Sequence, residues 1–111
     1  FNLSIGDDFD AGCGLKIIDC NEVSIGNNVT IGENVGIYTS NHAKDPKLRC
    51  DHWCSELPIR IGNNVVIESN SVVLPGTIIE DNVWIRPGSV VLGRIEADSI
   101  CAGDPARRES K

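Results

Sequence analysis

Both histidines of this chain fall in one polar stretch, TSNHAKDPKLRCDHWCSELP (39–58), as His42 and His52. An imidazole titrates near neutrality, so it can take a proton from a hydroxyl at physiological pH, and in its neutral form it can bind a metal. Metal binding would draw on Cys50, His52 and Cys54, but three ligands at that spacing are unlike the common zinc patterns. A structured loop with packed thiols is the simpler reading, so no metal is expected. His52 is read as a structural or surface residue.

A second concentration of chemistry is cationic. Arg86, Arg94, Arg107, Arg108 and Lys111 are half of the ten basic residues and stand in the last quarter of the chain. They could hold a small polyanion locally. The chain as a whole carries sixteen acidic residues and a net charge of -6, which argues against nucleic acid as a partner. Five cysteines (Cys13, Cys20, Cys50, Cys54, Cys101) are an odd count without framework spacing. They suggest a reducing, cytosolic setting with mostly buried thiols. No apolar run is long enough to cross a membrane, no signal peptide is visible, and 111 residues suit a single domain spanning 1–111.

The residues around the histidine stretch repeat with a period of six. Ile25, Ile31, Ile37, Ile61, Ile67, Val73, Ile79, Ile85 and Val91 occupy every position of one grid. Neither a helix nor an alternating strand has that period; a parallel β-helix of hexapeptide repeats does. Three residues after each aliphatic stand Asn28, Asn34, Asn64, Asn70, Gly76, Asn82 and Gly88, which tolerate the positive φ of a tight corner. The following column (Val29, Val35, Val65, Ser71, Thr77, Val83, Ser89) is small or β-branched, as the inside of a corner requires. Three short sides then close one triangular coil of 18 residues. Upstream, Ile5, Ala11 and Ile17 continue the grid with corners at Asp8 and Gly14, and a two-residue slip near 19–22 resets the phase. About twelve hexapeptides make four coils, and a prism so short is expected to associate, as a trimer. Continuing the grid past Ile37 would need aliphatics where Ala43, Arg49 and Ser55 stand, so 39–58 should leave the prism as one long loop. A tail follows from about 104.

With the solenoid in place, the chain resembles the hexapeptide-repeat acyltransferases, in particular the galactoside and maltose O-acetyltransferase branch. The resemblance rests on SIGNNVTIGENVGIYTSNH, the H-x-x-x-D-P run from His42 to Pro46, PIRIGNNVVIESNSVVLPGTIIEDNVWI and AGDPARR. It implies a left-handed β-helix that uses acetyl-CoA as co-substrate and needs no metal. His42 would be the general base, taking the proton of an acceptor hydroxyl that attacks the thioester directly. The Ser69 amide matches the donor to the thioester oxygen; Pro87, Leu92 and Arg107 match coenzyme contacts. Arg107, with Arg108, would face the coenzyme phosphates. Relatives often carry Trp where Val66 stands; Trp84, 18 residues on, could supply that aromatic surface beside the coenzyme or at a subunit interface.

The acceptor side departs furthest from the family. Gly12 and Cys20 replace acceptor-binding residues, so the expected acceptor is a sugar or another small hydroxylated molecule rather than galactoside or maltose specifically. Glu68 and Arg86 stand where relatives usually have Gly and could crowd the coenzyme channel, leaving a non-catalytic assembly module as the competing reading. Transfer to an amine, as in serine or xenobiotic acetyltransferases, is another alternative. A γ-type carbonic anhydrase would need three histidines, and only two are present.

Overall fold

The fold is built at its corners. The computed structural model describes residues 2–40 and 57–109. Asp8, Gly14, Asn28, Asn34, Asn64, Asn70, Gly76, Asn82 and Gly88, the corners expected from sequence, all have φ between 56° and 81°. Each such residue turns the chain in place, so sides of two or three residues follow one another around a triangle.

The first face of the prism stacks β1 (Leu3–Ile5), β4 (Val23–Ile25), β7 (Ile59–Ile61), β10 (Ile78–Ile79) and β13 (Arg94–Ile95). The second stacks β2 (Asp10–Ala11), β5 (Thr30–Ile31), β8 (Val66–Ile67), β11 (Val83–Ile85) and β14 (Ser99–Gly103). The third stacks β3 (Lys16–Ile18), β6 (Gly36–Tyr38), β9 (Val72–Val73) and β12 (Val90–Val91). All these pairings are parallel, and the left-handed parallel β-helix expected from the repeat is the fold observed.

Side chains of the six-residue grid point inward. Ile25, Ile31, Ile37, Ile61, Ile67, Val73, Ile79, Ile85 and Val91 are buried, and each contributes about 1.5–3 kcal/mol by leaving water. Corner hydroxyls are buried beside them with their hydrogen bonds made: Ser71 and Ser89 donate to the Arg86 carbonyl, Thr77 to that of Leu74. In the first coil Ala11 and Ile17 are only partly covered and Ile5 is exposed, because no described residue lies beneath them.

The excursion leaves and returns at the corner between the third and first faces. β7 lies directly on β4, with Val23 paired to Ile59, so no rung intervenes between the second and third coils. The Leu57 amide donates to the Thr39 carbonyl at 2.9 Å, joining the two ends. Thr39 is fully buried; its hydroxyl donates to the Ile18 carbonyl and accepts from the Asn21 amide. Leu57 packs over Gly76 in the coil above.

The prism continues past Val91: a four-residue step to Ile95 resets the grid, with Gly93 and Asp98 at positive φ, and β13 and β14 add two sides of an incomplete fifth rung to the four expected coils. Residues read as tail contribute β15 (Ala106–Arg108), antiparallel to β14. One expectation needs correction: among the described residues the thiols are not mostly buried. Cys101 is buried, whereas Cys13 sits on a corner and Cys20 in the phase slip, both exposed.

Candidate active site

The corner between the second and third faces carries Cys13, Glu33, Ser69 and Pro87 in successive coils. Backbone hydrogen bonds fix the column: Asn34 donates to Cys13, Asn70 to Glu33 and Gly88 to Ser69. Ser69 and Pro87 therefore share one edge of the prism, one layer apart, as their separation of 18 requires.

Comparison with the neighbouring corner shows what is special about Ser69. Between the first and second faces, side chains relay the amides upward: Asp7 donates to Asn27 Oδ1, Asn27 to Asn63 Oδ1 and Asn63 to Asp81 Oδ1, each at 2.7 Å. At the Ser69 corner the relay begins alike, with the Glu33 amide donating to Ser69 Oγ at 2.9 Å. The next layer offers Pro87, whose ring has no acceptor. Among the described residues nothing accepts from the Ser69 amide, so the column ends in an unpaired N–H donor on a partly exposed residue. Gly32 lies beneath it, and a Cβ there would approach Ser69 N and Oγ to 2.6 Å. Nothing in the sequence marked Gly32, because Gly also follows the inward Ile in other repeats (Gly6, Gly26, Gly62).

Trp84 stands on the outer side of the second face, directly above Val66 in register, with Ile100 above it. Val66, Trp84 and Ile100 line a shallow apolar groove. The indole is held in place: Nε1 donates to the Glu68 carboxylate, and the Arg86 guanidinium lies 6.0 Å from the ring centroid. Arg86 is tied in turn to Glu109 at 3.4 Å. Glu68 and Arg86 each immediately precede a column residue (Ser69, Pro87), but their side chains turn back over the second face.

The remaining sequence-identified positions are spread around this edge. Arg107 pairs with Ala102 and Arg108 with Cys101. Since Cys101 points inward, Arg107 shares the outer face with Trp84 and Ile100, whereas Arg108 lies over the end of the prism. Leu92 is exposed on the corner between the third and first faces, above the two ends of the excursion rather than on the Ser69 column. His42 lies outside the described residues, as do His52, Cys50 and Cys54; among the described residues no cluster of metal-binding side chains occurs.

A free backbone donor, an aromatic surface beside it and a cation above on the same face fit a thioester-bearing arm ending in phosphates. The donor suits developing charge on a carbonyl oxygen, and the groove suits an apolar chain.

The chain is similar in sequence and fold to known proteins. The bacterial transferase hexapeptide (six repeats) model matches residues 58–95, and the hexapeptide repeat of succinyl-transferase matches residues 22–40. The chain is 41% identical over 106 residues to the galactoside O-acetyltransferase of Escherichia coli, covering 96% of this chain and 52% of that protein. It superposes on a maltose O-acetyltransferase from Clostridium difficile with a TM-score of 0.88 and 35% identity, covering 100% of this chain and 59% of that one. A hexapeptide-repeat acetyltransferase from Vibrio cholerae, solved with acetyl coenzyme A, gives a TM-score of 0.85 at 28% identity, covering 96% and 58%. The chain spans about half the length of the curated relatives it matches.

Proposed function

Since the chain belongs to the hexapeptide-repeat acyltransferase family, we propose that it moves an acetyl group from acetyl-CoA to a hydroxyl of a sugar or similar small acceptor. The observation that carries this reading is the unpaired Ser69 amide beneath Pro87. A donor left open between these two layers, where the neighbouring corner joins Asn63 to Asp81, is what an acyl-transfer site requires.

In this mechanism His42 accepts the proton of the acceptor hydroxyl as its oxygen attacks the thioester carbonyl carbon. The carbonyl oxygen gains negative charge and takes the Ser69 hydrogen bond. The carbon–sulfur bond then breaks, the acetyl ester remains on the acceptor, and the proton on His42 passes to the departing thiolate. Trp84 and Pro87 border the path of the coenzyme arm, with Leu92 on the adjoining corner and Arg107 and Arg108 toward its phosphates. The ends of the His42 excursion and the Ser69 column occupy opposite edges of the third face. That separation favours a homotrimer in which the excursion of one copy serves the column of its neighbour. The cysteine content favours a cytoplasmic setting.

The test is thioester cleavage with acetyl-CoA across a panel of hydroxylated sugars and amines. We expect cleavage with sugar hydroxyls, and a kcat lower by roughly 10²–10⁴ in His42→Ala at unchanged melting temperature. Equal turnover in that variant, or transfer to amines alone, would contradict the reading.

A further inference from the structure

The first face carries a polar column that the reaction above does not use. Ser4, Ser24 and Arg60 are paired in register on β1, β4 and β7, and all three point outward and are exposed. With Asn2, Glu22 and Pro58 they line a groove of ≈ 390 Å³. Pro58 follows Leu57, whose amide closes the base of the excursion that holds His42. The groove therefore lies at the foot of that excursion, on the opposite side of its corner from the third face.

Its polar groups are open. Among the described residues Arg60 has no carboxylate within ion-pairing distance, although Arg94, further up the same outward column, is paired with Glu80. Neither the Ser4 nor the Ser24 hydroxyl has a hydrogen-bond partner among the described residues, whereas the Asn2 amide is engaged with the carbonyls of Asp19 and Cys20. Three rungs span about 9.6 Å. A guanidinium fork matches a carboxylate or phosphate, the hydroxyls can donate or accept, and Glu22 on the rim can only accept. A bare anion would satisfy Arg60 but not Glu22; a neutral sugar would leave Arg60 unused. One ligand class suits all four.

We infer that this groove is the acceptor subsite, and that the acceptor is an anionic sugar whose carboxylate or phosphate binds Arg60 while its hydroxyls meet Ser4, Ser24 and Glu22. This rests on the acetyl-transfer reading and narrows its substrate. On a chain of net charge -6, an unpaired arginine at this place is what offsets the general repulsion of an anionic acceptor.

The test compares methyl glucoside, methyl glucuronide and glucose 6-phosphate as acceptors with acetyl-CoA, in the wild type, Arg60→Gln and Arg60→Lys. One of the charged acceptors should have the highest kcat/KM, and which one identifies the anion. Arg60→Gln should lower the charged-to-neutral ratio of kcat/KM by roughly 10- to 100-fold through KM, with Arg60→Lys between the two. An unchanged ratio in Arg60→Gln would overturn the subsite while leaving acetyl transfer standing. A calorimetric titration of each sugar without acetyl-CoA serves as the second measurement. If no acceptor supports thioester cleavage, the transfer reading fails, and this titration then decides the subsite. Charged-sugar binding that weakens in Arg60→Gln supports it, and no binding to the wild type refutes it. Melting temperatures of the variants confirm that the fold is intact.

Discussion

The Gly88 amide donates to the Ser69 carbonyl at 2.9 Å, which seats Pro87 one layer above Ser69 and leaves the Ser69 amide facing a ring without an acceptor. At the adjacent corner the same two layers hold Asn63 and Asp81, joined by a 2.7 Å hydrogen bond. Pro87→Asp should therefore install the missing acceptor. The expected outcome is a kcat lower by about 10²-fold, as for loss of one oxyanion donor, with a melting temperature equal to or above that of the wild type. A Pro87→Ala control should retain activity, because alanine also has no acceptor. If Pro87→Asp turns over acetyl-CoA at the wild-type rate, the Ser69 amide is not the donor in question.

The neck of the excursion gives a stability prediction. Thr39 Oγ1 is buried, donating to the Ile18 carbonyl at 2.6 Å and accepting from the Asn21 amide at 3.1 Å. Thr39→Val keeps the shape and removes both bonds, so urea denaturation should show a loss of about 1–3 kcal/mol. Thr39→Ser, which keeps the hydroxyl, should recover most of it. Equal losses in the two variants would mean that the methyl group, not the hydroxyl, holds the neck.

Trp84 can be followed by its own fluorescence once Trp53→Phe removes the second indole. Its Nε1 donates to Glu68, and its exposed ring adjoins Val66 and Ile100. Coenzyme A should change the emission, and Trp84→Ala should raise the KM for acetyl-CoA by roughly 3- to 10-fold. Glu68→Ala should move KM in the same direction by less, because the ring loses its anchor but not its surface. An emission indifferent to coenzyme A, together with an unaltered KM in Trp84→Ala, would remove Trp84 from the coenzyme path.

The repeat was legible because its physics is local. Asn28, Asn64 or Gly76 can turn a corner on its own backbone, and an Ile every sixth residue declares the inward side, so corners and core could both be read from spacing. What escaped the sequence depends on relations between layers. The reset to Ile95 could not be seen, since Gly93 shortens one corner and the aliphatic count loses phase there. Gly32 and Pro87 matter only through the Ser69 peptide stacked between their layers, and the outward column of Ser4, Ser24 and Arg60 joins residues 56 positions apart. The exposure of Cys13 and Cys20 has the same origin: composition favoured burial, but one lies on a corner and the other in the phase slip.

The incomplete fifth rung is held in part by a charged clasp, which makes its stability sensitive to acid. Glu80 accepts from Arg94 Nε at 2.6 Å and from the Ala97 amide at 3.2 Å, tying β10 to the turn after β13. The hydrogen bond from Arg94, reinforced by the Ala97 amide, holds the Glu80 carboxyl below its ordinary value. A carboxyl with a depressed folded-state pKa contributes stability that is fully present above its unfolded-state pKa. That contribution is lost as the pH falls through the folded-state value. Glu80→Gln should therefore melt below the wild type near neutral pH, and the gap should close as the pH falls past the ordinary carboxylate range. Because the pair is exposed, about 1 M salt should also narrow the gap at neutral pH. A gap that stayed constant from neutral pH to about pH 3 would mean that the Glu80 side chain holds the rung by its shape and not by its charge.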